Sequence, residues 1–390
     1  MFVARLLAVG VLSATLSVSS GEAGGLPTGK LVVQVMHQTW PDGSPVEHGG
    51  RNYTTDIYVV DASGEHVRNL THDAPTNYLI GPLPGGRRIL YESVPSDRMR
   101  AGPSGIFSIN ADGSGRQQLA SGKGELLPQL SPDGRRILFT RGRWLYVMRS
   151  DGTHKTALVQ TSIGHYTPST LGLYDASWSP DGERIVFVRG FAKPNADWAS
   201  LRSALYVINA DGTGLRRLTK LRPKVRTSDP AWSPDGRKIA FNETRYRYPA
   251  GNDERTYVMR ADGTDVKRLK QLGANWFWLS NDRLAYDTGG YGRSKSVDAN
   301  GTGKPRPVPN RVRVAGILWI TSGRSAGFWP VSPDRKWIAY LGGGSFAGRD
   351  IWIAHLDGTH RRLVTRKICC WLDPGLREPF ANSAVAWADK

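Results

Sequence analysis

The sequence predicts an all-β fold, a β-propeller of four-stranded blades, with seven blades favoured and six as the alternative. The first observation behind this prediction is a stretch that begins Ser-Pro-Asp-Gly, continues with charged residues and ends in an apolar run. The second is an Asp-Gly or Asn-Gly pair that follows each copy of that stretch. The third is that no long helical periodicity occurs in the chain.

The repeated stretch recurs at a spacing that fits a propeller blade. Its second position falls at residues 84, 132, 180, 234, 281 and 333, so the intervals are 48, 48, 54, 47 and 52 residues. One blade takes roughly 40 to 50 residues. The best copies are Ser131–Phe139, Ser179–Phe187 and Ser233–Phe241, and the weaker ones are Leu83–Tyr91, Ser280–Tyr286 and Ser332–Tyr340.

Each copy contains the residues that a tight turn needs. Proline presets φ at the second turn position, aspartate bonds to nearby backbone, and glycine takes the left-handed position. The apolar run behind the turn does not alternate with polar residues, which predicts a strand covered on both faces.

A second hairpin follows each copy. Asp-Gly or Asn-Gly between two strand-like runs is the strongest short-range hairpin signal. Each repeat is therefore predicted to contain four strands joined by hairpins. The copies are Ile106–Gly113, Leu145–Gly152, Leu205–Gly212, Tyr257–Gly263 and Ile351–Gly358, with Asn300-Gly301 as a weaker one.

The two ends of the repeat region are predicted to share one sheet. Lys30–His37 resembles the second strand of a repeat, and Asp56–Val60 and Val67–Leu70 supply the third and fourth. The missing first strand is found at the C-terminus, where Ala384–Asp389 resembles the segment 230–235. Pairing of these ends would close the ring and remove exposed sheet edges. The closed unit and six copies make seven blades, and six is the alternative because the unit over 280–309 is degraded.

Residues 1–25 are predicted to be a signal peptide and residues 26–390 the propeller domain. Arg5 is followed by the apolar stretch Leu6–Val18 and by small residues, with Gly21-Glu22-Ala23 placing cleavage after Ala23. An uncleaved membrane anchor is the alternative. We therefore expect a secreted protein, extracellular or periplasmic, with no transmembrane span in the mature chain.

The chain carries a formal net charge of +18. In an exported protein this charge favours an envelope or extracellular protein, or an anionic polymer, as partner rather than nucleic acid. The alternative is that basic residues solvate the outer strands, because Arg216-Arg217-Leu218, Lys267-Arg268-Leu269 and Arg361-Arg362-Leu363 recur at one repeat position. We expect a monomer. The adjacent Cys369 and Cys370 cannot join distant blades, and two thiols are favoured over a vicinal disulfide.

The repeats, with Leu-Thr or Leu-Val closing a unit at Leu70-Thr71, Leu218-Thr219 and Leu363-Val364, resemble those of TolB-like and WD-repeat-like bacterial propellers. This resemblance covers nearly all of the chain after residue 25, and it implies the fold rather than a function. TolB has a further domain before its propeller, whereas these repeats begin directly after the predicted signal peptide.

No catalytic residue, metal site or cofactor is predicted. Gly323–Gly327 matches the nucleophile-elbow pattern but lacks its strand-turn-helix setting. His355 and His360 lie on either side of a predicted hairpin turn, and the Asp-Gly turns lack the other ligands of a calcium loop.

The predicted binding face is the end of the sheets that carries the long connections, because binding commonly lies on long loops held by a rigid scaffold. These connections are Thr39–Tyr53, Pro95–Gly105, Thr161–Tyr174, Phe191–Ser203, Glu243–Glu254 and Gly342–Gly348. Basic and aromatic residues alternate there and could stack on a ligand and pair with acidic groups. The candidate binding residues are Trp40, Arg51, Tyr53, Arg98, Arg100, Trp198, Arg245, Tyr246, Arg247, Tyr248, Tyr291 and Arg293.

The sequence thus predicts a secreted, non-enzymatic propeller that binds an envelope protein or an anionic polymer through this long-loop face. The alternative is a lyase or hydrolase whose active site lies in the central channel.

Overall fold

The computed structural model describes most of the repeat region. The described residues are 30–37, 54–61, 66–72, 76–94, 104–122, 127–142, 144–160, 176–191, 202–247, 251–270, 272, 276–287, 294–308, 337–342, 350–355, 360, 362–365 and 385–388. The predicted signal peptide, the two cysteines and the elbow-like segment lie outside them. The chain divides into two compact units, one formed by Met1–Leu126, Ile317–Gly323 and Phe328–Lys390, the other by Leu127–Gly316 and Arg324–Gly327.

The first unit contains three antiparallel sheets. Sheet 1 has the strand order β27-β1-β2-β3, with β1 Lys30–His37, β2 Thr54–Asp61, β3 Arg68–Asn69 and β27 Val385–Ala388. Sheet 2 consists of β4 Thr76–Pro82, β5 Arg88–Val94, β6 Gly105–Asn110 and β7 Gln117–Ser121. Sheet 7 consists of β24 Trp337–Gly342, β25 Asp350–His355 and β26 Arg362–Thr365.

The second unit contains four sheets of four strands each. Sheet 3 consists of β8 Gln129–Leu130, β9 Arg136–Arg141, β10 Trp144–Arg149 and β11 Thr156–Gln160. Sheet 4 consists of β12 Ala176–Trp178, β13 Arg184–Phe191, β14 Arg202–Asn209 and β15 Arg216–Arg217. Sheet 5 consists of β16 Val225–Trp232, β17 Lys238–Arg247, β18 Gly251–Arg260 and β19 Lys267–Leu269. Sheet 6 consists of β20 Trp276–Ser280, β21 Arg283–Asp287, β22 Ser294–Asp298 and β23 Arg306–Pro307.

The predicted four-stranded repeat is confirmed in six of these sheets, and within the described ranges every regular element is a strand. The predicted pairing of the chain ends is confirmed as well, since β27 pairs antiparallel with β1 from Lys30↔Ala388 to Val33↔Val385. The strand predicted before Ser332 lies outside the described residues, and the number of blades stays a prediction. Among the described residues, none lies in a helix long and apolar enough to cross a membrane.

The Ser-Pro-Asp-Gly stretch forms the turn between the first and second strand of a sheet, as predicted. In sheet 5 the Ser233 hydroxyl donates to the Asp235 carboxylate (2.6 Å) and accepts the Lys238 N–H (2.9 Å). Gly236 has φ +68°, which a residue without a side chain adopts readily. Behind the turn Ile239, Ala240 and Phe241 are at most 1% exposed, so the strand is covered on both faces. The same bonds recur in the copies that begin at Ser131 and Ser179.

The Asp-Gly pairs form the turn between the third and fourth strand. Asp211 accepts both the N–H and the hydroxyl of Thr213, at 2.8 and 2.7 Å. The closing Leu-Thr pair also has a structural role, because the Thr219 hydroxyl accepts the N–H of Leu205 at 2.9 Å. Equivalent turns are centred on Asp112, Asp151, Asp262 and Asn300.

Tryptophans and basic side chains join neighbouring sheets of the second unit. The indole N–H of Trp232 donates to Ser177 O at 3.2 Å, and the Arg184 guanidinium lies 4.8 Å from the Trp232 ring centroid. Arg216 donates to the backbone oxygen of Asp262 in the next sheet at 2.6 Å. Part of the net charge is therefore used in contacts between sheets. Trp178 and Trp278 repeat the indole bond, to Gln129 O and Ala231 O.

We expect the Ser-Pro-Asp-Gly turns to make the folded state sensitive to acid. Partial burial would raise the pKa of Asp235, but bonds from Ser233 and the Arg237 N–H outweigh it and hold this pKa below its usual value. Asp133 and Asp181 behave alike. A carboxylate whose pKa is lower in the folded state than in the unfolded state stabilises the protein at a pH above its unfolded-state pKa. That stabilisation is lost as the pH falls through the folded-state pKa.

The urea concentration at the unfolding midpoint should therefore decrease as the pH is lowered from about 5 to about 2. The triple variant D133N/D181N/D235N keeps an oxygen that accepts the turn hydrogen bonds and should flatten this dependence. D265N is the control, because Asp265 lies outside these turns at φ +51°, where asparagine is well tolerated. An equally steep acid loss in the triple variant and in D265N would contradict this explanation.

Candidate functional site

The predicted loop Glu243–Glu254 is instead the end of a long hairpin. β17 and β18 pair without interruption from Lys238↔Arg260 to Arg247↔Gly251, so only residues 248–250 connect them. Sequence reasoning missed this because Asn242-Glu243-Thr244 lacks the apolar residues that mark the repeat strand, although its polar side chains pair in the sheet. Charged residues of both signs occur at the hairpin end of sheet 5, among them Glu243, Arg245, Asp253, Glu254 and Arg255.

A bulge in the innermost strand presents a carboxylate beside this hairpin. The register of β16 against β17 shifts between Ser228 and Ala231, which leaves Asp229 and Pro230 opposite one residue of β17. Asp229 has φ +52° although the residue before a proline favours extended backbone. Its side chain accepts the Ser228 hydroxyl at 2.7 Å and the Asn242 amide at 3.2 Å. These two bonds hold an exposed carboxylate in a strained backbone position.

A buried polar network supports Asp229 from below. Asn242 is completely buried, and its Oδ1 accepts the indole N–H of Trp276 at 2.7 Å and the Thr256 hydroxyl at 2.9 Å. These acceptor bonds fix the orientation of the Asn242 amide, so that its Nδ2 points at Asp229. The network links β16, β17, β18 and the neighbouring sheet 6, which makes the position of the carboxylate well defined.

The opposite face of the hairpin is fixed by an ion pair and by contacts to sheet 4. Glu243 is 5% exposed and pairs with Arg222, which lies on the connection before β16. The Ser203 hydroxyl accepts the Thr227 N–H at 2.7 Å, which connects β14 to β16. A buried carboxylate needs such a partner.

Electrostatic interactions at the exposed end couple Glu254 to its neighbours. Glu254 and Arg226 lie on one face, because both pair with Thr244 across the sheet. Desolvation is the main reason why the pKa of Glu254 is raised; the Asp229 carboxylate raises it further, and Arg226 lowers it. Two carboxylates and an arginine thus share a small region that can accept and donate hydrogen bonds.

Three of the twelve predicted binding residues fall on the hairpin. Arg245 is exposed in β17, and Tyr246 and Arg247 continue the same strand. Sequence reasoning missed Arg226, Asp229 and Glu254; the signal that could have found them is Asp229-Pro230, since proline inside a strand marks a bulge. The other nine predicted residues lie outside the described residues: Trp40, Arg51, Tyr53, Arg98, Arg100, Trp198, Tyr248, Tyr291 and Arg293.

Metal ligands are not grouped in the part of the chain that the structure describes. No cluster of three or more histidine, cysteine, aspartate or glutamate side chains there could hold an ion. Asp229 and Glu254 offer two carboxylates, fewer than the three ligands of such a cluster.

The chain is similar in sequence to two curated bacterial proteins. One, of unassigned function, comes from Agrobacterium fabrum and is 27% identical over 217 residues, which is 53% of this chain and 68% of that protein. The other is a TolB homologue of Chlorobium luteolum, 28% identical over 186 residues, which is 47% of this chain and 39% of that protein. No protein-family model matches the chain.

Solved structures that share the fold include a lyase and the propeller domain of a protease. An oligogalacturonate lyase in complex with manganese has a TM-score of 0.51 at 14% identity, covering 95% of this chain and 90% of its own. The β-propeller domain of the Trilobed protease from Pyrococcus furiosus has a TM-score of 0.51 at 13% identity, covering 92% and 99%. The fold is a β-propeller of four-stranded blades, and the predicted resemblance to TolB-like propellers is confirmed.

Proposed function

We propose that this TolB-like β-propeller is an exported, non-enzymatic binding protein that holds a partner protein of the cell envelope at the hairpin end of sheet 5. The observation that carries the proposal is the exposed Asp229 carboxylate, held at a bulge by the buried Asn242–Trp276 network. A polar group fixed in this way costs little entropy when it binds, because it is already ordered.

The charges at the hairpin end favour a protein over a uniform polyanion. Arg226 lies near Asp229 and Glu254, so groups of both signs are presented together. Protein surfaces offer both signs in return, whereas an anionic polymer would be repelled by the two carboxylates. Arginine and tyrosine, which alternate over 245–248, are the residue types that dominate the binding energy of protein interfaces.

The test compares the wild type with the variant R245S/Y246S/R247S/Y248S. The immobilised protein would capture its partner from an envelope extract, and the purified partner would then be titrated by calorimetry. We expect the Kd to rise at least about tenfold, since arginine and tyrosine at interface centres each contribute more than about 1 kcal/mol.

The control is R135S/R149S, because both arginines are exposed at the turns of sheet 3, away from the hairpin end of sheet 5. It should bind with the wild-type Kd. An unchanged Kd in the quadruple variant would overturn the proposal, and binding of polygalacturonate in place of a protein would show the polymer to be the ligand.

The second candidate function is a lyase or hydrolase. It is supported by the position of Glu254 beside Asp229, because desolvation raises the pKa of Glu254 and a carboxyl group with a raised pKa can act as a general acid. The oligogalacturonate lyase supports it at the level of fold only. The assay incubates the protein with oligogalacturonides and Mn²⁺ and follows the unsaturated product. Turnover by the wild type that D229N and E254Q each abolish would establish this function. No turnover by the wild type would contradict it and favour the binding function.

A further inference from the structure

Two neighbouring outer strands of the second unit expose the same short pattern, an apolar residue followed by two basic residues. Leu215 precedes Arg216-Arg217 in β15, and Val266 precedes Lys267-Arg268 in β19. Leu215 is 44% exposed and Val266 is 51% exposed, although large apolar side chains are mostly buried. The hairpin function described above does not use this surface, which lies at the Asp-Gly turns.

The leucine three residues after each exposed apolar residue is packed, so the exposure is specific to the position before the two basic residues. Leu269 is 3% exposed, and Leu218 packs against the core of sheets 4 and 5. The same position, directly before the outer strand, holds Arg116 in sheet 2 and Val67, 57% exposed, in sheet 1. The packing of Leu218 and Leu269 therefore does not require the exposed side chains of Leu215 and Val266.

Basic charge predominates around them. Arg217, Lys220, Arg268 and Lys270 are all exposed. The carboxylates nearby are engaged in local bonds: Asp211 and Asp262 bind their own turns, and Asp265 pairs with Lys267 at 3.1 Å.

We infer that the β15–β19 surface, formed by Leu215, Arg217, Val266, Lys267 and Arg268, binds the anionic headgroup region of a membrane. Basic residues near an anionic lipid surface are attracted to its headgroups, and an apolar side chain can enter the boundary between headgroups and acyl chains. Charge complementarity alone would also suit an anionic polysaccharide. The exposed Leu215 and Val266 favour lipid, because a hydrated polymer offers no apolar surface to them.

The experiment is sedimentation of the protein with vesicles of phosphatidylcholine mixed with phosphatidylglycerol, and with vesicles of phosphatidylcholine alone. We expect partition onto the mixed vesicles only. R217Q/K267Q/R268Q and L215S/V266S should each lower the partition coefficient at least about tenfold.

The matched control is R141Q/R202Q/K224Q, which also removes three exposed positive charges but outside this surface. It should partition like the wild type. Equal losses of partition in the two triple variants would overturn the inference, because net charge alone would then explain the binding. Unchanged partition of L215S/V266S would overturn it as well. Circular dichroism of each variant verifies that it is folded. These outcomes do not depend on partner binding at the hairpin.

Discussion

Replacement of Trp232 with alanine should lower the free energy of unfolding by about 3 to 5 kcal/mol, as expected for a buried aromatic side chain. Trp232 is 6% exposed and packs between sheets 4 and 5. The substitution opens a cavity, leaves Ser177 O without the indole donor and removes the ring under Arg184. Urea unfolding followed by circular dichroism measures the loss.

The control for this prediction is W232F, which keeps an aromatic ring and removes the indole N–H. It should lose about 1 to 2 kcal/mol, because a hydrogen bond and part of the packing volume are lost. If alanine and phenylalanine at position 232 were equally tolerated, the tryptophan contacts could not be what joins these sheets.

Replacement of Gly105 with alanine should destabilise the protein by about 3 kcal/mol or more, through steric overlap combined with backbone strain. Gly105 begins β6 at φ +148°, a conformation that residues with a side chain rarely adopt. A Cβ there would lie 2.0 Å from the Ala120 carbonyl oxygen on the paired strand β7. Because that oxygen belongs to the backbone, relief requires the two strands to separate.

G142A provides the matched comparison. Gly142 also has a positive φ, +59°, but a Cβ there would meet nothing within 4 Å. It should lose only about 1 to 2 kcal/mol, the cost of the left-handed conformation. Equal urea midpoints for G105A and G142A would mean that φ alone sets the cost and that the close approach of β7 is irrelevant.

The two proposed surfaces lie at opposite ends of the strands in sheet 5. β17 runs from Lys238, near the turns, to Arg247 at the hairpin end, and ten strand residues span about 30 Å. A membrane bound at the turns would therefore leave the hairpin end free for a partner protein. The membrane test and the partner test can accordingly fail separately.

The sequence alone was sufficient for the repeat architecture. The turn residues of the Ser233–Phe241 copy predict two strands and the hairpin between them, because each residue acts through its own backbone preference or through partners at most five positions away. Even the long-range pairing of β1 with β27 was predictable, since the C-terminal strand repeats a pattern seen elsewhere in the chain.

Only the tertiary structure decided what the polar residues around 225–256 do. Asn242 directly follows the apolar run Ile239-Ala240-Phe241, and its role depends on Trp276, which is 34 positions away in the next sheet. The Asp229-Pro230 pair signals a bulge, but the register of β16 against β17 decides which residue lies opposite it. The conformation of a turn depends on neighbouring residues and can be predicted from the sequence, whereas a binding site consists of side chains that only tertiary packing brings together.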